Sequence, residues 1–258
     1  MNENCRLVST WMSQNQLCLN ADKTHLMVGG TSQRLRKHNT SEDLNVVMEG
    51  FKLTESEERV ETILGVQIQP DLKWTKHIDG LLSKLKTRLT GLNKVKYILG
   101  MKNMKTISEG IFTSVLIYCI PLWGGMDQGD LQDLQVLQNR AAQHVLRLPQ
   151  RSKRRMMFDK LDWLSVKQLA FFHTVLAVYK IRKTGEPEYL AEKLHNDNFR
   201  GSLIVPPTDL TLAKNSFCFR GGDSWISIPQ AIRNIQKVGH FKTELRKWVK
   251  SNVMRFND

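Results

Sequence analysis

The chain has 258 residues, 41% hydrophobic and 24% charged, an ordinary globular composition that excludes a mainly disordered or collagen-like protein. Thirty-eight Lys and Arg against 25 Asp and Glu leave a net charge of +13, which favours a polyanionic partner, nucleic acid before an acidic membrane. The longest apolar run, Val115 to Trp123, is about half a bilayer span and is broken by Pro121, so no membrane-spanning helix is expected.

Leu7, Val8, Trp11 and Met12 lie at helical spacing and predict a short amphipathic helix over 2–16. Leu17–Asn20 and His25–Gly30 read as short strands joined through a turn at 21–24, and 31–43 as a polar loop. Glu49-Gly50 marks a hairpin turn, and Arg59–Gln69 alternates as one strand that Pro70-Asp71 ends. One helix and a small antiparallel sheet of this size need packing on something else.

From Lys73 the pattern becomes helical. Ile78, Leu81, Leu82, Leu85, Leu89, Leu92, Val95 and Leu99 recur every three to four residues, a second helix spans about 102–120, and a third starts near Asp127. Short connections predict an antiparallel bundle. Beyond Pro149 come a basic run, a helix over 166–183 ended by Thr184-Gly185, a short helix in EPEYLAEKL, loop or strand over 196–224, and a closing amphipathic helix carrying Phe241, Leu245, Trp248, Val249 and Val253. The fold class expected is α+β, mostly α: a small antiparallel β-sheet with one helix, then a helical bundle, then a helical C-terminal region with irregular segments.

Cys5, Cys18, Cys119 and Cys218 form no Cys-x-x-Cys pair, which argues against zinc knuckles and disulfide frameworks and for an intracellular setting, nuclear or cytoplasmic. No secretory leader is recognised at the start of the sequence. The glycine pairs at 29–30, 124–125 and 221–222 lack phosphate-loop spacing and read as turns. Glu55, Glu57, Glu58 and Glu61 read as a solvated turn, and Asp127, Asp130 and Asp133 as the start of a helix, where the dipole favours carboxylates. His77 is expected to cap or flank the bundle helix, and His144 and His173 to be surface or satisfied core residues. The six tryptophans read as core anchors rather than stacking platforms.

Between Lys73 and Lys105 nine cations (Lys73, Lys76, Lys84, Lys86, Arg88, Lys94, Lys96, Lys102, Lys105) face one acid, Asp79. An ordinary solvated helix face would carry acids four residues away as partners. Their near absence favours phosphate contact through Lys76, Lys84, Lys86, Arg88 and Lys94, whereas Lys96 falls near the leucine stripe and fits poorly. Arg151, Lys153, Arg154 and Arg155 form the densest basic cluster, open to readings as a nucleic-acid contact, a nuclear-import patch or a solvated loop. Lys242, Arg246, Lys247 and Lys250 add charge on the last helix.

Six phrases occur in order: W-x3-N-x-L-x-L-N-x2-K-T (Trp11, Asn15, Leu17, Leu19, Asn20, Lys23, Thr24), L-G-V-x-I-x3-L-x-W-x2-H-I (Leu64 to Ile78), SVLIYCIPLWGG, LQNRAAQHVLRLP, WLSVKQL and SFCFRGGDSWISIP. Together they resemble the carboxy-terminal part of a non-LTR (LINE-type) retrotransposon reverse transcriptase, over essentially the whole chain. The resemblance implies a palm remainder over 1–72, a helical thumb over 73–149 and a connector over 150–258. It implies that Lys23 matches the palm lysine proposed as general acid toward the leaving pyrophosphate, and that Leu64, Gly65 and Val66 match the region that grips the primer end.

The family's aromatic-x-Asp-Asp turn is missing: the sequence contains no Asp-Asp pair. Two-metal phosphoryl transfer needs carboxylates holding two Mg2+ ions about 3.5–4 Å apart. The expectation is a chain truncated after that motif, catalytically incomplete alone, with no metal site and no cofactor of its own, although Mg2+ is implied for the complete enzyme. The partners expected are RNA, DNA or an RNA–DNA hybrid, bound without sequence specificity, together with the missing polymerase half, and no membrane. The alternatives are a host-retained protein-interaction module with incidental charge and one part of a longer active enzyme.

Overall fold

The computed structural model describes residues 2–37, 45–55, 60–125, 128–194 and 211–252. The fold is α+β and mostly helical, and it divides into two compact units, one running to His77 and the other from Ile78.

In the first unit, helix α1 (Asn2–Gln14) ends where Asn15 donates its side-chain amide to the Trp11 carbonyl at 2.8 Å and Gln16 turns left-handed, φ 56°. Its apolar face is not the one the spacing suggests. Cys5 and Met12 pack with Leu19 and Leu26 on a small core of Val46, Met48 and Leu53, while Leu7, Val8 and Trp11 are exposed. The strands expected at 17–20 and 25–30 do not form. A 3-10 turn at Ala21–Lys23 stands between them, and the Leu26 N–H donates to the Thr54 carbonyl at 2.9 Å, outside any ladder. Part of the expected loop over 31–43 is instead a short helix, α2 (Ser32–Lys37).

The strands come as two hairpins. β1 (Val47–Met48) pairs with β2 (Phe51–Lys52) through Glu49 and Gly50, both at positive φ (49° and 84°), the two-residue turn whose twist matches antiparallel strands. The single strand expected over 59–69 is folded back on itself. β3 (Glu61–Ile63) pairs with β4 (Val66–Ile68), Ile63 opposite Val66, around Leu64 and Gly65 at φ 48° and 81°. Gly65 takes this conformation without a Cβ penalty, which breaks an otherwise uninterrupted alternating pattern.

Helix α3 (Thr75–Val95) starts where the Gln69 side-chain oxygen accepts from the Thr75 hydroxyl and the Lys76 N–H, both at 2.9 Å. His77 flanks that start as expected: it is buried, accepts from the Gln67 N–H through Nδ1 at 3.4 Å, and meets Trp74 edge-on. From Ile78 onward the stripe of Ile78, Leu81, Leu85, Leu89 and Leu92 is buried.

In the second unit, α4 (Met101–Ser108) runs on through a π-helical turn at Glu109–Thr113 to Leu116. Cys119, left-handed at φ 51°, leads into α5 (Ile120–Trp123), and α6 spans Gln128–Leu146. α7 (Arg154–Leu161) precedes the central helix α8 (Val166–Thr184), which begins with a reciprocal cap between Ser165 and Gln168 and ends at Gly185, φ 75°. α8 packs against α5, α6, α9 (Glu188–Leu194), α11 (Phe217–Ser227) and α13 (Val238–Ser251), with α10 (Thr211–Lys214) and α12 (Gln230–Arg233) as short links.

Ser216 to Ser224, inside the stretch 196–224 expected as loop or strand, instead opens α11, capped by the Ser216 hydroxyl. Gly221 and Gly222 are therefore inside a helix rather than at a turn. A Cβ on Gly221 would stand 2.8 Å from Val178 Cγ2, so the glycine allows α11 to approach α8 closely. Tyr179 stacks on Phe241 at 3.9 Å, and Trp225 lies 6.1 Å from the same ring, which fixes α13 against this pair. Trp123, Trp163 and Trp225 are buried as expected; Trp11 is 58% exposed. Pro206-Pro207 and Val253 lie outside the described residues.

Candidate nucleic-acid interface

The residues of α3 divide between its faces. At 3.6 residues per turn, Lys76 and Lys94 stand opposite the buried stripe, Lys84 and Arg88 on one flank, and Lys86 on the other. All five are exposed, and none has a carboxylate partner among the described residues. Lys96 fits the wheel poorly because the helix stops at Val95. It sits in the following turn, its Nζ 4.9 Å from the centre of the Tyr97 ring.

The Lys86 flank opens on a cleft of about 800 Å³ between α3, α6 and the stretch from Arg147 to Gln150. Four cations line it (Lys86, Lys96, Arg140 and Arg147) together with His144, and the lining residues include no carboxylate among those described. Arg147 is held in place, donating from Nε to the Lys96 carbonyl at 3.0 Å and from Nη2 to the Leu99 carbonyl at 2.8 Å. Gln143 closes the far end, its amide 2.7 Å from the Gln150 carbonyl. Burial, then the charges of Lys96 and Arg140, holds the His144 imidazole below its ordinary value. An acid-free hollow of this kind concentrates positive potential and attracts anions.

Sequence reasoning missed Arg140 and His144. Both lie inside LQNRAAQHVLRLP, whose apolar spacing draws attention to its buried side. The signal available was that Arg140, His144 and Arg147 recur every three to four residues on the opposite edge.

The chain runs directly from Gln150 into Arg151, Lys153, Arg154 and Arg155. Arg151, Lys153 and Arg155 are exposed; Arg155 makes a 3.9 Å ion pair with Asp159. α7 begins at this cluster with Lys153 as an uncapped N-cap and no acid in its first turn. Cations at a helix N-terminus oppose the dipole, so helix stability does not account for them. The last helix differs. Arg246 and Lys250 both reach Asp162, and Lys247 pairs with Glu244 at 2.8 Å, so these cations serve packing and local pairing.

The remaining site expectations fall in the first unit. Lys23 is exposed at the end of its 3-10 turn, its N–H donating to the Asn20 carbonyl at 3.1 Å, which also accepts from the Thr24 hydroxyl. Asn20, Lys23 and Thr24 thus build a turn. Leu64 and Gly65 form the exposed tip of the second hairpin and Val66 is buried. No group of three His, Cys, Asp or Glu converges among the described residues, so those residues do not fit the two-magnesium cradle that the resemblance implies. Glu57, Glu58 and Asp127 lie outside the described residues. Among the described residues no helix is long and apolar enough to cross a membrane.

Several phrases of the sequence prove to be parts of one packing unit. Gln135 accepts from the Val166 N–H and Gln138 donates to the Leu164 carbonyl, both at 2.9 Å, so the buried glutamines of α6 satisfy the main chain at the start of α8. Arg220 of α11 donates to the carbonyls of Pro121 and Leu122 at 2.6 and 3.0 Å, and burial pulls its guanidinium down to about 10, still charged at neutral pH. Compared with known proteins, the chain matches no family model, no curated protein and no solved structure.

Proposed function

We propose that this chain is the palm end, thumb and connector of a non-LTR retrotransposon reverse transcriptase, and that it binds nucleic acid through phosphates without reading sequence. The observation that carries the binding is the cleft in which Lys86, Lys96, Arg140 and Arg147 meet with no acid among the described lining residues. Charges of this kind position a strand without specifying it. The parentage rests on the six ordered phrases and on no other ground. Lacking an Asp-Asp pair, the chain acts here as a holder of template and primer rather than as the polymerising centre.

The test is a fluorescence titration with an RNA–DNA hybrid at rising salt. If four phosphates are engaged, affinity falls by about a hundredfold between about 50 and 200 mM salt. No binding near 50 mM defeats the reading. A second reading, a protein-interaction module, draws on α1, where Leu7, Val8 and Trp11 are 66%, 48% and 58% exposed. A chain that ignores nucleic acid but captures a partner through that face, with capture lost in Trp11→Ala, favours the second.

A further inference from the structure

Tyr97 is an odd residue to find at the rim of a charged cleft. Its side chain is 72% exposed and its neighbour Ile98 79%, although both follow a helix whose apolar stripe is otherwise buried. The turn carrying them is not loose. The Ile98 N–H donates to the Val95 carbonyl at 3.0 Å, and Arg147 bridges the carbonyls of Lys96 and Leu99. Lys96 Nζ and Arg147 Cζ stand 4.9 and 6.0 Å from the ring centre. An exposed aromatic is thus held on an ordered turn, with two cations over its ring, in the lining of a hollow that also carries Lys86 and Arg140.

A phosphate site alone has no use for that ring. In duplex nucleic acid the base faces are stacked on one another and cannot reach it, whereas an unpaired nucleotide presents a free face. Stacking on an aromatic side chain beside backbone-binding cations is the physical basis of sequence-tolerant single-strand binding. A volume of about 800 Å³ is within the range that takes a ligand of nucleotide size.

We infer that the cleft receives an unpaired stretch of RNA or DNA, with one base stacked on Tyr97 and the adjoining phosphates on Lys86, Lys96 and Arg140. This rests on the nucleic-acid reading above and deepens it: a duplex is held through phosphates alone, whereas an unpaired stretch adds a stacked base at this cleft. The polar groups between the two ends, Thr90 and Asn93 on α3 and Gln143 on α6, supply hydrogen bonds to sugar and base edges without imposing one sequence.

The experiment is a fluorescence-anisotropy titration of the full chain at about 50 mM salt with four probes of one length: single-stranded RNA, single-stranded DNA, an abasic DNA strand and a duplex. Stacking predicts that Tyr97→Ala weakens binding of the base-bearing single strands by at least about fivefold, that Tyr97→Phe restores it, and that neither change affects the abasic strand or the duplex. The RNA and DNA arms separate the two sources of the unpaired base. Equal loss on all four probes, or no loss on any, overturns the stacking role and leaves phosphate binding standing. Failure of the unaltered chain to bind any probe overturns both readings. In Tyr97→Trp, quenching of the new indole by the base-bearing strands but not the abasic one is the expected signature, and its absence in a variant that still binds overturns the stacking role.

Discussion

Arg147 and Leu99 lie 48 residues apart in sequence, yet the Arg147 Nη2 donates to the Leu99 carbonyl at 2.8 Å while its Nε reaches the Lys96 carbonyl. Both acceptors follow the end of α3, where main-chain carbonyls have no intrahelical partner. One cation therefore finishes a helix and also lends its charge to the cleft beside it. Arg147→Ala removes both bonds, and a loss of about 1 kcal/mol in chemical denaturation is expected, since the contacts are partly solvated. Amide exchange at Tyr97 to Leu99 should accelerate selectively. Arg147→Lys keeps the charge but loses the fork, so it should restore low-salt binding better than it restores exchange protection. Unchanged exchange in Arg147→Ala would mean that the turn is held by other contacts.

Charge reversal separates the flanks of α3. Lys86→Glu with Arg140→Glu inverts two of the four cleft cations and should weaken nucleic-acid binding at least about tenfold at low salt. Lys84→Glu with Arg88→Glu, on the far flank, should weaken it far less. All four positions are exposed, so circular dichroism and thermal midpoint should hardly move. Equal loss from both pairs would indicate general attraction rather than a cleft, and an effect confined to Arg151, Lys153, Arg154 and Arg155 would relocate the contact.

Gly221 is a packing residue. Its virtual Cβ stands 2.8 Å from Val178 Cγ2, on the branched and stiff side chain of a buried valine. Gly221→Ala gains helix propensity on paper but forces α11 away from α8, and the overpacking cost of about 1–3 kcal/mol exceeds that gain. Denaturant midpoints measure it. The double change Gly221→Ala with Val178→Ala should recover part of the loss, because the obstructing methyl is gone.

The helical elements were the legible part of the sequence. The leucine stripe of α3 and the Ser165 to Gly185 frame of α8 carry period and caps together, so local and tertiary signals agree. Reading failed where a long-range contact overrides local pattern. Gly65 folds one apparent strand into a hairpin, and Gly221-Gly222 looks like punctuation although it lies inside α11, where Gly221 allows a close approach to α8. Trp11 looks like a core residue in sequence, but it is exposed, and from α1 it is Cys5 and Met12 that pack on the small core. At the candidate site, the basic face of α3 was legible from the missing acids. Arg140 and His144 were not, because a cleft is a property of two helices and the charge pattern of α6 means little until Lys86 stands across from it.

Asp162 links the end of α7 to α13, accepting from Arg246 Nη2 at 3.2 Å and from Lys250. Burial works against its ionisation, but the hydrogen bond from Lys250 and the charges of Arg246 and Lys250 outweigh it and hold the carboxyl below its ordinary value. A carboxyl depressed in the folded state contributes stability above its unfolded value that is lost as pH falls through the folded one. Asp162→Asn should therefore lower stability at neutral pH by about 1 kcal/mol or less, given an exposed carboxylate, and the difference should vanish in strong acid. A difference that persists there would assign the effect to contacts of the side chain other than the charge pairs.

His144 and His173 act on the other side of neutrality. Burial, helped by Lys96 and Arg140 at His144 and by Lys242 and Lys180 at His173, lowers both imidazoles below 6.5. The unfolded chain then binds protons before the folded one, so stability is full above about 6.5 and declines as pH falls below it. Binding should move the other way. A polyanion in the cleft favours protonated His144, which would join Lys86, Lys96, Arg140 and Arg147 as a fifth cation. Affinity for a single strand should thus rise as pH is lowered from about 7.5 to about 5.5, with uptake of one proton at most. His144→Gln should abolish most of that rise while leaving the affinity at pH 7.5 nearly unchanged, whereas His173→Gln, away from the cleft lining, should leave the rise intact. Both are read by anisotropy at fixed ionic strength, and a rise that survives His144→Gln would place the titrating group elsewhere.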